Sequence, residues 1–310
     1  MKVSERGFGA WGIGGASYGR VPASEALRSL AQAEELGVNF IDTAAVYGRS
    51  EEVIGEFLHG RRDRWILATK YSGQPEGLTA TVEAQLGRLR TTWIDFYQIH
   101  WAPGRKGHHL YEELQALKDA GKVRAVGVSL YTPQDIDYVL ANTPVDGFQV
   151  AFGLLDPQPL LSRLQAVRRS GAAVVVRSCL KGGFLTGKYG PDAEFPDPDD
   201  QRNGWSREKI ADLVAMVERF RFLEAETDGL TDAAVSYPLN FPEVSTVLLG
   251  TKTVDQARIN YGDIGTTRFS AELRAEISRV QDSLGLLSPG RRQRIRSMLG
   301  AVKRLVLSWR

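Results

Sequence analysis

Short apolar runs alternate with longer amphipathic stretches along the chain. The apolar runs are rich in Val, Ile and Phe and predict strands at residues 7–13, 38–43, 65–70, 95–100, 125–130, 147–152, 173–178 and 245–250. Between them, helical periodicity covers residues 24–36, 50–59, 78–89, 109–120, 133–141, 158–169 and 206–226, and another helix is expected after residue 253. Gly37, Gly121 and Gly171 each follow a predicted helix, where we expect the left-handed backbone that ends it.

The alternation predicts parallel strands joined by crossover helices. Eight such units in about 250 residues are the number that closes a (β/α)8, or TIM, barrel. An open doubly wound sheet is the alternative. We therefore predict one α/β domain over residues 1–285. The spacing widens only between the last two strands, where residues 190–205 form a long polar loop, typical of a lid or binding loop.

Composition excludes some classes of function but does not select one. Hydrophobic residues make up 43% of the chain and charged residues 25%, which is ordinary for a soluble globular protein. The net charge of +2 gives no reason to expect a nucleic-acid partner. Cys179 is the only cysteine, so an internal disulfide is impossible and a reducing compartment is permitted. Because no apolar run resembles a signal peptide or a membrane span, we expect a cytoplasmic protein.

A glycine motif near the N-terminus matches the dinucleotide fingerprint G-x-G-x-x-G. The sequence "GFGAWG" supplies Gly7, Gly9 and Gly12 at that spacing. The fingerprint requires a helix that starts directly after the glycines, but the following "IGGASYGR" does not favour a helix. The expected acidic residue would also fall inside a predicted helix. We reject a Rossmann fold and interpret the motif as a glycine-rich strand and loop close to a ligand.

Four polar residues lie at the predicted carboxyl ends of three consecutive strands. Asp42 ends the second strand and Tyr47 lies in the loop after it, while Lys70 and His100 end the third and fourth strands. Each alone has a structural explanation, such as a cap, an exposed lysine or a core histidine. Together, at the end of a barrel where active sites occur, they indicate a site.

The four residues suit proton transfer to a carbonyl oxygen. A tyrosine has an ordinary pKa of about 10, and a nearby ammonium favours its phenolate. We expect Lys70 to lower the pKa of Tyr47, Asp42 to hold Lys70, and His100 to bond the Tyr47 hydroxyl or a substrate oxygen. Such a set can protonate a carbonyl oxygen as hydride reaches the carbon, and can act in reverse.

Several long segments resemble the aldo-keto reductases in order and in sequence. They are "GVNFIDTAAVYGRSEEVIG", "ILATK", "IDFYQIHW", "GKVRAVGVS", "GGFLTGKY" and "VLLGTKTVDQARIN". The resemblance is nearest to the branch that includes the potassium-channel β-subunits and bacterial aldo/keto reductases. It implies a barrel that uses a nicotinamide cofactor, NADPH rather than NADH, to reduce an aldehyde or ketone, such as a sugar or small polar carbonyl. It also implies that Tyr47 is the general acid and base, with Asp42, Lys70 and His100 completing a tetrad.

The resemblance further implies the cofactor contacts. Ser129 and Gln149 match the pair that holds the nicotinamide carboxamide, and Lys252 matches a cation for the 2′-phosphate of NADPH. The full set comprises Gly9, Ala10, Trp11, Asp42, Ser129, Gln149, Arg177, Ser178, Cys179, Leu180, Gly182, Lys188, Arg202, Gly250, Lys252, Gln256 and Asn260. Leu130 stands where the family pattern has Asn. We expect no metal.

Two other functions remain open at this stage. A sugar or alcohol dehydrogenase that works in the oxidative direction would use the same residues. A nicotinamide-binding regulatory module with little turnover is the second alternative, because the chain resembles channel subunits.

The last segment, residues 286–310, is basic and amphipathic. No acidic residue occurs from Ser283 to Arg310, against seven Arg or Lys. One helical face would carry Ile295, Met298, Leu299, Val302, Leu305, Val306 and Trp309. Such a helix either docks on the barrel or binds an anionic membrane surface or an acidic partner. Co-sedimentation with anionic vesicles, with and without residues 290–310, separates these alternatives, and an unchanged result excludes the membrane.

Overall fold

The structure, a computed structural model, describes residues 1–15, 17–104, 107–262 and 265–287. Its strands are β1 (Arg6–Gly9), β2 (Phe40–Asp42), β3 (Ile66–Tyr71), β4 (Ile94–Ile99), β5 (Val123–Leu130), β6 (Gly147–Ala151), β7 (Ala173–Arg177) and β8 (Val244–Gly250). Each strand pairs in parallel with the next, and β8 pairs with β1, which closes the barrel. The predicted (β/α)8 barrel is confirmed, and the open sheet is excluded.

Helices follow the strands around the outside of the barrel. They are α1 (Ala23–Glu35), α2 (Ser50–Phe57), α3 (Leu78–Arg88), α4 (His109–Asp119), α5 (Pro133–Asn142), α6 (Leu164–Ser170), α7 (Arg207–Glu218), α8 (Leu230–Leu239), α9 (Val254–Tyr261) and α10 (Ala271–Ser283). None of these helices, which belong to the described part of the chain, has the length and hydropathy needed to span a bilayer.

Three differences from the predicted elements have clear causes. The helix predicted at 206–226 ends at Glu218, and a 3₁₀ turn follows at Arg221–Ala225. The sequence does not predict α8, because nine of its ten residues are buried and no polar stripe marks one face. The helix α10 is also missed, since only Ile277 and Gln281 of its residues are buried.

The glycines behave as the sequence predicts. Gly37, Gly121 and Gly171 have φ values of 83°, 72° and 69°, the left-handed region that ends a helix. At the N-terminal motif, β1 stops at Gly9 and a 3₁₀ turn follows at Ala10–Gly14, so no helix opens there. The rejection of the dinucleotide fingerprint is therefore confirmed.

The predicted boundary at residue 285 falls just after α10. The basic segment predicted for residues 286–310 lies outside the described residues from position 288 onward. The division of the chain into a barrel and a tail helix therefore stays a prediction.

Candidate active site

The interior of the barrel changes from apolar to polar toward the carboxyl ends of its strands. The apolar layer consists of the buried side chains of Phe40, Ala68, Phe96, Ala125, Val175 and Leu248. Side chains alternate between the two faces of a strand, so residues two or four positions later point into the same interior. These residues are Asp42, Lys70, Gln98, Ser129 and Arg177, and Gln149 pairs with Val175 on the neighbouring strand. A ring of polar groups therefore lies at the barrel mouth.

The centre of this ring is a buried ion pair. The Lys70 side chain is inaccessible to solvent, and its Nζ donates to Asp42 Oδ2 at 2.5 Å and to the Thr43 carbonyl at 2.8 Å. The other oxygen of Asp42 accepts from Gln98 Nε2 at 3.1 Å and from Gln149 Nε2 at 3.0 Å. Burial lowers the pKa of Lys70, and the neighbouring Asp42 opposes that shift. The pair therefore satisfies its charges internally, as a buried pair requires.

Tyr47 lies beside this pair, in the loop between β2 and α2. Its ring centroid is 5.1 Å from Lys70 Nζ, and the indole of Trp11 stacks on it with a centroid distance of 5.7 Å. The backbone of the loop packs against Gly14, where a Cβ atom would fall 1.6 Å from the Tyr47 carbonyl oxygen. Any side chain at position 14 would therefore displace the tyrosine, which explains one glycine of the N-terminal loop.

The expected acidification of Tyr47 by Lys70 is wrong for this structure. Burial raises the pKa of Tyr47 above its ordinary value, the Asp42 carboxylate raises it further, and only Arg177 acts to lower it. The physical reason is that Asp42 lies 2.5 Å from the Lys70 ammonium, so the pair presents little net charge to the phenol. Tyr47 is therefore a protonated hydroxyl at neutral pH, a proton donor rather than a preformed base.

His100 stands on the other side of Tyr47. Its ring meets the Tyr47 ring edge-on at a centroid distance of 5.9 Å, and Nδ1 shares a 2.9 Å hydrogen bond with Ser72 Oγ. Burial, with the charges of Lys70 and Arg177, lowers the pKa of His100 to about 3. The imidazole is therefore neutral, and the Ser72 contact leaves Nε2 for a ligand. Ser72 was not predicted, although it lies only two residues after Lys70 in the sequence.

A second network of buried hydrogen bonds connects the elements that carry these residues. Glu51, in the first turn of α2, accepts from Thr69 Oγ1 at 2.7 Å, from Gln85 Nε2 at 2.8 Å and from Arg88 Nε at 2.8 Å. Gln85 also donates to the Lys70 carbonyl at 3.1 Å. The network joins the helix that follows Tyr47 to the strand that carries Lys70. The sequence analysis missed Glu51, whose helical spacing from Ile54 places both on the buried face.

Opposite the tetrad, two buried polar atoms have no hydrogen-bond partner in the described part of the chain. They are Ser129 Oγ and Arg177 Nε, on β5 and β7. Gln149 lies on β6 between these strands, and its Nε2 is already bonded to Asp42. Buried polar groups are normally satisfied, so orphaned ones point to a missing partner. A carboxamide, which both donates and accepts, fits this set, as the resemblance implies for nicotinamide.

The segment after β7 makes a compact turn with unusual backbone. Ser178 and Lys181 have φ values of 61° and 50°, and Gly182 has 66°. Ser178 is exposed and Leu180 is partly buried against the core. Cys179 is 1% exposed within the core, and burial raises its thiol pKa to about 12. A thiol that lines a groove is therefore excluded, and Cys179 can meet a cofactor only through its backbone.

Two predicted phosphate ligands bind protein groups in this structure. Arg202 pairs with Asp200 at 2.6 Å and also donates to the Gly182 carbonyl at 3.1 Å and to Tyr189 Oη at 2.7 Å. Lys252 Nζ donates to the Tyr18 carbonyl. Lys188 is exposed, with its ammonium 4.9 Å from the Tyr189 ring centroid.

The loop after β7 meets the loop after β1 across the barrel mouth. Gln201 N donates to the Ser17 carbonyl at 2.9 Å, and Arg20 Nε donates to Asp199 Oδ2 at 2.8 Å. Tyr18 and Asp200 form an antiparallel bridge between the same two segments. These contacts bring Arg202 and Lys252 to one side of the mouth, because both lie against Tyr18.

The remaining predicted residues lie around the same mouth. Gln256 Oε1 accepts from the Lys252 backbone at 2.9 Å, and Asn260 Nδ2 donates to Thr251 Oγ1 at 2.9 Å, so both shape the loop after β8. Gly250 is exposed at the end of that strand. In the neighbouring β1 loop, the backbone of Gly9 approaches Leu249, Ala10 is buried, and Trp11 is 37% exposed beside Tyr47.

The chain is similar to known proteins over most of its length. The model of the family described as "Aldo/keto reductase family" matches residues 7–282. The chain is 32% identical over 277 residues to the aldo-keto reductase YhdN of Bacillus subtilis, covering 83% of each chain. It is 27% identical over 303 residues to the NADH-specific methylglyoxal reductase of Escherichia coli, covering 88% of this chain and 93% of that one. Among solved structures, the glycerol dehydrogenase AKR11B4 of Gluconobacter oxydans superposes with a TM-score of 0.77 at 28% identity, covering 90% of this chain and 91% of that one.

The low pKa of His100 predicts a pH dependence of stability. The folded protein keeps His100 neutral down to about pH 3, whereas an unfolded histidine takes up a proton near its ordinary value of 6.5. Between these values the unfolded state binds more protons, so the free energy of unfolding falls as the pH falls. From pH 7 to pH 5, wild type should lose about 1–2 kcal/mol more than His100→Gln.

Urea unfolding at the two pH values measures this difference. His59→Gln, which removes an exposed histidine, is the matched control and should behave as wild type. Equal losses in wild type and His100→Gln would contradict the prediction.

Proposed function

This chain belongs to the aldo/keto reductase family, and we propose that it reduces an aldehyde or ketone with NADPH, with Tyr47 as the proton donor. The observation that carries the proposal is the group at the barrel mouth: a protonated Tyr47, a neutral His100 and the buried Lys70–Asp42 pair. Each lies within one polar ring at the end of the barrel where such folds act.

A bound reduced nicotinamide supplies the hydride for such a reduction. Tyr47 donates its proton to the carbonyl oxygen, and His100 Nε2 bonds the same oxygen and orients it. The phenolate that remains lies near the Lys70 ammonium, 5.1 Å from the ring centroid. Lys70 thus stabilises the charge that develops on Tyr47, although it does not acidify the phenol beforehand.

The state of Tyr47 favours reduction over oxidation. Oxidation of an alcohol needs a base, and the raised pKa of Tyr47 makes its phenolate scarce at neutral pH. Reduction needs an acid, which the protonated hydroxyl provides. The resting state of Tyr47 is therefore the one that reduction uses, and the same residue serves as the base in the oxidative direction. The intact acid also weighs against a binding module without turnover.

The proposed cofactor contacts divide between the two sides of the mouth. Ser129, Gln149 and Arg177 would hold the nicotinamide, and the orphaned Ser129 hydroxyl supports this. The turn at Ser178, Leu180 and Gly182 would meet the pyrophosphate. Gly9, Ala10, Trp11 and Asp42 would complete the cofactor surface beside Tyr47. The adenosine and its 2′-phosphate would contact Lys188, Arg202, Gly250, Lys252, Gln256 and Asn260, and Cys179 would contribute backbone only.

Large apolar side chains are exposed in three of the loops around the mouth. Trp11 is 37% exposed, and Val46 and Tyr131 are each 54% exposed. Exposed apolar side chains grouped at a site favour an apolar ligand surface. We therefore propose a carbonyl substrate with an aromatic or aliphatic portion, in preference to the sugar that the resemblance alone suggests.

The first test is Tyr47→Phe. Loss of the proton donor should lower kcat/KM for carbonyl reduction by roughly 10²–10⁴-fold, while the Kd for NADPH changes little. Oxidation of NADPH should be followed spectrophotometrically with a panel that includes aromatic aldehydes, methylglyoxal and glyceraldehyde. Tyr138→Phe, which removes a hydroxyl on helix α5 outside the proposed site, is the control. A Tyr47→Phe enzyme with full activity would exclude the mechanism, and tight binding by wild type without turnover would favour the binding module.

The second test addresses the choice between NADPH and NADH. A cation that pairs with the 2′-phosphate contributes about 1.5–3 kcal/mol, so Lys252→Ala should raise the KM for NADPH roughly tenfold or more. The KM for NADH should change far less, because NADH lacks that phosphate. Lys252→Arg should retain the preference, and Lys122→Ala, a surface lysine, is the control. Equal effects on the two cofactors would remove Lys252 from the phosphate site.

A further inference from the structure

Arg177 is held at the barrel mouth with an unsatisfied donor. It is the last residue of β7, and its side chain points into the barrel above Val175. Its Nη2 donates to the Leu130 carbonyl at 3.2 Å, and the guanidinium lies 4.7 Å from the centroid of the Tyr131 ring. Its Nε is buried and has no hydrogen-bond partner among the described residues. These contacts fix the guanidinium in position without using all of its donors.

The charge of Arg177 leaves the mouth with a net positive charge. Lys70 and Asp42 cancel as an ion pair at 2.5 Å, while Tyr47 and His100 are neutral at pH 7. These four groups and Arg177 therefore sum to +1. No carboxylate of the described residues forms an ion pair with Arg177, in contrast to Lys181 and Arg202, which pair with Asp156 and Asp200.

The charge of Arg177 affects the pKa of other groups in the site. Arg177 lowers the pKa of His100 and of Lys70, and it opposes the rise in the pKa of Tyr47. Lys70 lies on β3, and Tyr47 and His100 lie in the loops after β2 and β4, so the charge of Arg177 acts on groups across the mouth from β7. An eight-stranded barrel has a narrow interior, so little room separates the two sides of the mouth.

A nicotinamide in this space must lie close to Arg177, given the proposed function. Hydride transfer requires the ring to be next to a carbonyl whose oxygen contacts Tyr47. The tetrad occupies the β2–β4 side, so the ring is left with the β5–β7 side, where Ser129, Gln149 and Arg177 lie. The reduced ring is neutral and the oxidised ring carries one positive charge. A fixed cation nearby therefore opposes only the oxidised form.

We propose that Arg177 makes this protein bind the reduced dinucleotide more tightly than the oxidised one. The side chain thereby determines specificity for redox state, separately from the choice between NADPH and NADH. Product cofactor leaves more readily after each reduction, and the reverse reaction is disfavoured because the oxidised cofactor binds weakly. The proposal rests on the proposed function, because it requires a nicotinamide at the barrel mouth.

Isothermal titration calorimetry without substrate tests the proposal. The Kd values of NADPH, NADP⁺, NADH and NAD⁺ should be measured for wild type, Arg177→Met and Arg177→Lys. Wild type should bind each reduced form more tightly than its oxidised partner. Arg177→Met should lower the ratio of the oxidised Kd to the reduced Kd by about tenfold. Arg177→Lys keeps the charge and should keep the ratio within about twofold of wild type.

The matched control is Arg169→Met, which removes an exposed arginine near the end of α6. It should leave the ratio near the wild-type value. The change caused by Arg177→Met should be similar for the phosphorylated and unphosphorylated pairs, because their nicotinamide rings are the same. If Arg177→Met does not fold, Arg177→Gln provides the same loss of charge with a polar side chain.

Three outcomes would overturn the proposal. One is an Arg177→Met protein in which both redox forms bind equally more weakly, as expected of a simple contact. Another is an unchanged ratio together with a raised KM for aldehydes that bear a carboxylate, which would assign Arg177 to the substrate. The third is a wild-type ratio of one or less. If no dinucleotide binds to wild type at all, the proposed function itself fails, so the two failures are distinguishable.

Discussion

The site depends on one interaction, the ion pair between Lys70 and Asp42 inside the barrel. Placing two charges in an interior is costly unless their other hydrogen-bonding positions are filled. Here Lys70 also bonds a carbonyl oxygen, and Asp42 accepts from two glutamine amides. The closed sheet makes this possible, since strands β2, β3, β4 and β6 each deliver one side chain to the same point. The ion pair therefore depends on the fold as well as on the two residues.

The neutrality of that pair determines how the neighbouring groups behave. A free ammonium would have acidified Tyr47, but a compensated one leaves burial as the dominant influence on the phenol. Burial likewise keeps His100 neutral. The tetrad thus contains one acid, one neutral hydrogen-bonding ring and a cation whose effect grows only when the phenol loses its proton. In the proposed mechanism, Lys70 would therefore act on the transition state more than on the resting protein, as preorganised charges in active sites do.

Sequence reasoning predicted the barrel and the four polar residues that the structure brings together at its mouth, because both follow from local patterns. Strand and helix periods, the glycines after helices and polar residues at strand ends are visible without coordinates. The helix α8 was not visible, because it is buried on almost all sides and has no polar face. The roles of Glu51 and Ser72 were not predicted for a different reason. Their hydrogen-bond partners are 15 or more residues away in the sequence. The sequence predicted that Asp42 pairs with Lys70, and the contact at 2.5 Å agrees, but the expected pKa of Tyr47 left out burial and the opposing charge of that carboxylate.

The proteins that this chain is similar to include some named as reductases and some named as dehydrogenases. A shared fold does not determine the direction of a reaction, which depends on the site. In this chain the charges at the mouth are asymmetric, because the tetrad side is balanced while the β7 side carries Arg177. A net positive charge beside the nicotinamide raises the energy of its cationic form and has little effect on its neutral form, whereas a compensated ion pair affects both forms little. In our proposal, Arg177, which follows the apolar layer on β7, biases direction without any change to the proton-transfer groups.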